Sequence, residues 1–342
     1  MDKTKRLETA FRQVTRSKQI HEAVLLVEST RGDYSESFSH AGKTIDAPVQ
    51  AASIGKMCTA ACVLSLAEEG SLSLTDRLAD HLGAALMKGL HVYQGVDYSG
   101  RLTLTDLLFQ TSGLPDYEYD KGGIVPRIEK EDFAMTTADI VELTKTMPAH
   151  FAPGGDRAYY SNINFDLLGL VVEEVTGRPL EQVFRSTLFD PLGLSRTYMP
   201  VGDDFIPGNY FGDRLVDRPE ITRSLRGGGN TVTTTRELMV FLKAFFQGRF
   251  FPADRFQQLA TYRKLQKLMG PLYYGGGHMQ LPLRSAYTLF QGKGELLGHS
   301  GSTGSLAFYY PHAGLFFAGD VNQWANPELP IRLMMRLAMA VR

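Results

Sequence analysis

Cysteine is nearly absent, with two in 342 residues, so no disulfide framework holds this chain together. Cys58 and Cys62 are four apart in a helix-like segment, where they share a face as packing residues. Long hydrophobic runs are missing as well. Stretches such as LLGLVV at 167–172 fall far short of a bilayer span, which excludes a transmembrane helix. Net charge is lacking too, because 36 Lys plus Arg against 37 Asp plus Glu leave −1. No global field draws the protein to nucleic acid or acidic lipid, and neither is an expected partner. Nothing repeats at a fixed period, so solenoids are out. The nucleotide signatures G-x-G-x-x-G and G-x-x-x-x-G-K-[ST] are absent, as is the G-x-S-x-G elbow of α/β-hydrolases. With no H-E-x-x-H and no Cys and His cluster, neither a metal nor a cofactor is expected.

What is present is an ordinary globular composition, 43% apolar and 21% charged, in a chain long enough to bury a large core. The first 18 residues carry six basic and two acidic side chains, with Leu7, Ala10, Phe11 and Val14 spaced as one face of an amphipathic helix. That pattern lacks the apolar stretch of a secretory signal, so with Met1 as the native start the expected location is cytoplasmic. HEAVLLVEST (21–30) and YSESFSHAGK (34–43) read as a hairpin, and Ser53 to about Glu69 reads as a buried helix stopped at Gly70. The middle of the chain is punctuated for short helices. Thr103 with Asp106 makes a capping box, Thr136 or Thr137 opens a run stopped at Pro148, and Gly177 closes the run from Asn162. Late in the chain Thr234 and Glu237 predict a capping box for a helix through Phe246. LLGHSG, SLAFYY and LFFAGDV read as strands, and Asn326 with Pro327 starts a last helix. The fold class is therefore α+β: an antiparallel sheet flanked by N- and C-terminal helices, with an all-helical domain inserted. The expected division is 1–52 with 225–342 for the sheet domain and 53–224 for the helical one, with the active site at their interface.

Three short segments can carry chemistry. The only S-x-x-K in the chain, S-I-G-K at 53–56, sets the Ser53 hydroxyl and the Lys56 amine one turn apart at a helix start, among apolar residues that would normally exclude a lysine. Y-S-N at 160–162 precedes a helix. A phenol of pKa about 10 works as a base near neutrality only beside a cation that favours its phenolate, and Lys56 is the expected source. G-H-S-G-S-T-G-S at 298–305 is small and polar between two strands, where a substrate backbone can approach closely.

In this order S-I-G-K, Y-S-N and H-S-G resemble the active-site motifs of the serine β-lactamase and penicillin-binding protein superfamily, in its class C β-lactamase, DD-peptidase and family VIII esterase branch. The flanking stretches LTLTDLLFQTSGLPDY, FAPGGDRAYYSNINFDLLGLVVEEVTGRPLEQVF, DPLGLSRTYM and GGGNTVTTTRELMVFL are similar to it too, over about residues 20–325. The resemblance implies a β-lactamase/transpeptidase-like fold with Ser53 as acylated nucleophile, Lys56 as its charge partner and Tyr160 as general base. It also implies that Asn162 touches substrate and Lys56, that His299, Gly301 and Ser302 form an edge-strand wall, and that the Ser53 and Ser302 backbone N–H groups make the oxyanion hole. Two positions depart from the pattern. His299 stands where many relatives carry Lys, which weakens attraction for a β-lactam carboxylate unless Arg226 or Lys293 compensates. Gln110 stands where His is common. The implied activity is a serine hydrolase of small acyl esters. A D-amino-acid amidase or peptidase, a β-lactamase, and a non-hydrolytic binding or sensor domain are the alternatives.

Overall fold

A computed structural model describes residues 2–255, 262–266, 272–284, 288 and 290–341. Its centre is an eight-stranded sheet in which every neighbouring pair runs antiparallel. The spatial order is Ser35–His40, Ala23–Ser29, Leu315–Asp320, Ser305–Tyr310, Glu295–Ser300, His278–Pro282, Tyr273–Gly275 and Arg263–Lys264. The first hairpin of the chain thus joins the last strand, with Val24 opposite Asp320 and Ser29 opposite Leu315. Leu315–Asp320 is buried along its whole length, as its unbroken apolar run requires when both faces are covered.

The N-terminal helix spans Lys3–Thr15 and buries Leu7, Ala10, Phe11 and Val14, the face its spacing predicts. It packs against the C-terminal helix Leu329–Ala340. That last helix starts later than its sequence suggests, because the Asn326 carbonyl accepts the Leu329 N–H and the helical turns follow from there. Thr235–Phe246 packs against the strands Ala23–Ser29, Ser305–Tyr310 and Leu315–Asp320. Thr234 caps it as expected, but Glu237 does not close the box. Its carboxylate instead accepts the Arg196 N–H at 3.0 Å and the Thr197 hydroxyl at 2.6 Å, tying the helix to the preceding loop.

The stretch 53–224 is helical apart from two short ribbons, Val92–Tyr93 with Val96–Asp97 and Asn209–Phe211 with Arg214–Val216. The capping box foreseen at Thr103 with Asp106 forms, and of the two candidate starts Thr136 caps Thr137–Lys145, in a box with Asp139. Gly177 ends Ile163–Thr176 in the left-handed conformation. At the centre lies Gly55–Glu68, apolar nearly all round, in contact with Ile163–Thr176 and with the short Arg226–Gly229 turn. Cys58 and Cys62 are buried free thiols in its wall, and burial pushes Cys58 up to about 12, so neither is a reactive thiolate.

Three strands of the eight-stranded sheet had no sequence expectation: Arg263–Lys264, Tyr273–Gly275 and His278–Pro282. They extend the sheet past Glu295–Ser300. That strand is therefore not an edge. Its pairing with His278–Pro282 nevertheless stops at Gly298 opposite Met279, so His299 and the residues after it are open on that side.

Candidate active site

Ser53 sits in the tight turn Ala52–Ile54 that leads into Gly55–Glu68, one step before the helix rather than in it. Ala52 holds a positive φ of 46°, which turns the chain sharply just before Ser53. The turn rests on Gly229, where a Cβ would lie 2.4 Å from the Ala52 carbonyl oxygen. Only glycine fits there.

Lys56 has no exposed surface. Its Nζ lies 3.1 Å from Ser53 Oγ and also donates to the Gly228 carbonyl. Burial pushes this amine below its ordinary pKa, while Glu118, Asp166 and Asp116, in that order, pull it back up. Asp166 steadies the arrangement from behind. Its carboxylate accepts the Gly228 N–H at 2.9 Å and the Tyr117 hydroxyl at 2.9 Å, so the residue whose carbonyl holds Lys56 is itself held.

Tyr160 faces Ser53 from the start of Ile163–Thr176. Burial raises its phenol well above the usual value and Tyr274 adds to this, with only the Ser53 hydroxyl acting downward among the leading influences. Lys56 lies 5.3 Å from the Tyr160 ring centroid, so the cation named in the sequence expectation is near the phenol, while burial acts against the phenolate.

Asn162 is buried, and its amide Nδ2 donates to Asp116 Oδ1 at 3.0 Å. The two protein groups on Lys56 Nζ are Ser53 and Gly228, so Asn162 is a partner of Asp116 rather than of the lysine. Gln110, at φ 61°, accepts the Ser161 N–H at 2.9 Å and an Asn164 amide hydrogen, which pins the backbone of the second motif. This is what stands where relatives have His.

His299 lies on the other wall, with no exposed surface and its ring 6.0 Å from that of Tyr160. Its Nδ1 is 2.8 Å from the Ser300 carbonyl, which makes Nδ1 the protonated nitrogen and Nε2 an acceptor. Burial first, then Lys56, lowers its pKa to about 3. His299 is therefore a neutral ring, and Arg226 and Lys293 do not replace the missing charge. Arg226 is paired with Glu173 at 2.6 Å and Glu181 at 3.0 Å beside a separate cavity, and Lys293 is exposed and outside the lining of the cleft.

Gly301 closes the turn after this strand, its N–H donating to the Ser305 carbonyl at 2.8 Å. A Cβ at Gly301 would meet Ser305 Oγ at 2.1 Å and the Ala51 carbonyl oxygen at 2.5 Å. The turn presents Ser302. Among the described residues no protein acceptor takes the backbone N–H of Ser53 or of Ser302, so both are free to bind an oxyanion. Ser53, Asp116, Tyr160, Gly301 and Ser302 border one cleft of about 1430 Å³, which runs on toward the two terminal helices. Among the described residues no group of three or more His, Cys, Asp or Glu side chains is placed to hold a metal.

The sequence motifs thus come together, but Asp116, Glu118, Asp166, Gly228 and Tyr274 escaped notice. Only the two acids flanking Tyr117 directly after T-S-G-L-P gave a local signal.

Residues 10–338 match the Beta-lactamase family model, and the chain belongs to that family. It is 30% identical over 144 residues to a putative D-alanyl-D-alanine carboxypeptidase of Escherichia coli (strain K12), covering 42% of this chain and 31% of that protein. The chain spans between 31% and 57% of curated relatives such as this one and penicillin-binding protein 4* of Bacillus subtilis (strain 168). Among solved structures, D-amino acid amidase from Ochrobactrum anthropi SV3 superposes with a TM-score of 0.80 at 19% identity, over 100% of this chain and 99% of that one. EstCE1, a hydrolase with promiscuous acyltransferase activity, does so with 0.79 at 19% identity, over 99% and 98%. These likenesses establish the β-lactamase/transpeptidase-like fold.

Proposed function

We propose that the protein is a serine hydrolase of small acyl esters that forms an acyl-enzyme on Ser53. The observation that carries this reading is the 3.1 Å approach of Ser53 Oγ to a lysine amine driven toward its neutral form by burial. A neutral amine can take the serine proton as the hydroxyl attacks the carbonyl carbon. The oxyanion then forms between the Ser53 and Ser302 N–H groups. Tyr160, still protonated, gives its proton to the leaving group and recovers one from Lys56. In the second half water takes the leaving group's place, its proton passes through Tyr160 to Lys56, and Lys56 returns it to Ser53 as the acyl bond breaks. Asn162 and the His299 to Ser302 segment bind the substrate on opposite walls. Lys56 is thus the first base and Tyr160 the relay.

The acylation chemistry is shared by amides, and a D-amino-acid amidase or peptidase is the second reading, favoured by the likeness to D-amino acid amidase in overall fold. β-Lactam hydrolysis ranks lower, because His299 is neutral where many relatives carry a charged Lys and Arg226 is held by Glu173 and Glu181. Intact-mass labelling with a fluorophosphonate and separately with a penicillin, followed by peptide mapping, tests the reading. Adduct on Ser53 with the fluorophosphonate is expected; adduct elsewhere, or none, would overturn it.

A further inference from the structure

The cleft that Ser53 borders does not end at the catalytic residues. Its far part is walled by the terminal helices and by His278–Pro282, which contribute Met279, Leu281, Ile331, Met335 and Met339. On Leu329–Ala340 the division of faces is clear. Leu333, Met334, Leu337 and Ala338 are buried, while Ile331, Met335 and Met339, spaced four apart along the neighbouring stripe, stay half-buried and line the cleft. This wall is apolar and open, and its three methionines have unbranched side chains that adapt to a flexible apolar chain.

Arginines flank that stripe. Arg332 and Arg336 stand one position further round the same helix, and Arg6 lines the cleft from Lys3–Thr15. Arg332 is held by Glu328 at 2.8 Å, and Arg336 makes one neutral contact, Gln13 Oε1 at 3.3 Å. The Arg6 guanidinium has neither an ion pair nor a hydrogen bond among the described residues, and its Nε is buried. Of the acids on the cleft, Asp116 accepts the Asn162 amide near Ser53, and Asp120 is taken by His150 at 2.7 Å and by the Tyr159 hydroxyl, with Lys121 next to it in the chain. Glu328 is thus the one described acid facing three arginines at the helix end. A buried guanidinium nitrogen without an acceptor is costly, and a carboxylate brought by a ligand removes that cost with a planar, two-pronged fit.

We infer, on the reading of Ser53 as a nucleophile that takes a small acyl group, that the alcohol half of the substrate is an apolar arm ending in a carboxylate. The arm lies along the methionine-lined wall and the carboxylate meets Arg6 and Arg336. The preferred class is then acylated ω-hydroxy acids rather than acyl esters of simple alcohols. This anion stands an arm's length from the scissile carbonyl, unlike a β-lactam carboxylate beside the His299 wall.

The test measures kcat/KM, with the full chain at pH 7, for ω-acetoxy carboxylates from hexanoate to dodecanoate, each beside its carboxamide, which keeps length and shape but lacks the charge. For at least one arm length the carboxylate is expected to exceed its carboxamide by about tenfold or more, the usual worth of a charge-assisted hydrogen bond. Among the carboxylates kcat/KM should climb with arm length, by up to about fourfold per buried CH2. Arg6→Gln and Arg336→Gln should each lower the charge ratio several-fold, and Arg6→Lys should retain part of it. The ratio compares two substrates on one enzyme, so loss of folded protein does not alter it, and fluorophosphonate labelling of Ser53 counts the reactive sites that remain. Carboxamides turned over as well as carboxylates at every length, a series flat in arm length, or a ratio unmoved in both glutamine variants would overturn the proposal. Absence of both labelling and turnover in the unmodified protein would instead remove the serine-hydrolase reading beneath it.

Discussion

A lysine without exposed surface and a tyrosine whose phenol burial holds above its usual pKa stand beside Ser53, and the roles proposed for them are testable. Ser53→Ala should abolish turnover and labelling. Tyr160→Phe removes one oxygen, and turnover should fall by roughly 10²–10⁴ with thermal stability retained, since the loss is one of proton transfer; unfolding at lower temperature with normal activity would assign Tyr160 a packing role. Because His299 is neutral and Arg226 is engaged by two carboxylates, short-chain aryl esters should be cleaved far better than penicillins or cephalosporins. Efficient penicillin hydrolysis by the unmodified protein would reverse that order. Glu118 also makes a pH prediction. Its folded pKa of about 8 lies above the ordinary carboxyl value of about 4.5, so the folded state binds more protons between those values and stability is lost as pH rises through them. Glu118→Gln does not titrate, and its advantage over the parent in thermal melts should grow from pH 5 to pH 8.5, reaching on the order of 1–3 kcal/mol. A constant gap would contradict the raised Glu118 carboxyl.

Elements place these residues where side chains alone could not. The turn from Gly301 to Gly304 follows the open side of Glu295–Ser300, and its shape depends on a glycine whose Cβ position is already filled by Ser305 Oγ and the Ala51 carbonyl. Gly301→Ala should therefore shift Ser302 and cost about 10²–10³ in kcat with little change in KM, the pattern of a lost oxyanion donor; an equal loss in KM would point to blocked binding instead. The motif residues were legible because each triad of letters is local. Ser53 and Lys56 are one turn apart, and Tyr160 and Asn162 bracket a helix start. Asp166, Gly228 and the role of Gln110 were not, because each acts through a partner 49 or more residues away, as in the bonds of Asp166 to Tyr117 and Gly228, and only the folded chain brings such pairs together.

At the scale of the whole molecule the same division holds. Strands with continuous apolar runs, such as Leu315–Asp320, and the amphipathic face of Lys3–Thr15 could be read directly. The strands between Arg263 and Pro282 could not, since they are two to five residues long and interrupted by the Gly275 to Gly277 turn. The N-terminal helix is part of the core rather than an appendage. Phe11, 1% exposed, should cost about 3–5 kcal/mol as Phe11→Ala, with turnover per folded molecule unchanged. A melt within error of the parent would mean that the helix is dispensable.

The pairing of Ala23–Ser29 with Leu315–Asp320 sets a timetable for synthesis. A ribosome adding about 5–20 residues per second needs roughly 15–60 s between making the first strand and making its neighbour. Through that interval the opening hairpin presents an unsatisfied edge, and the terminal helix has no mate. The nascent chain therefore depends on being shielded until its final segment emerges, and slowing translation should favour aggregates of incomplete chains over those of finished ones.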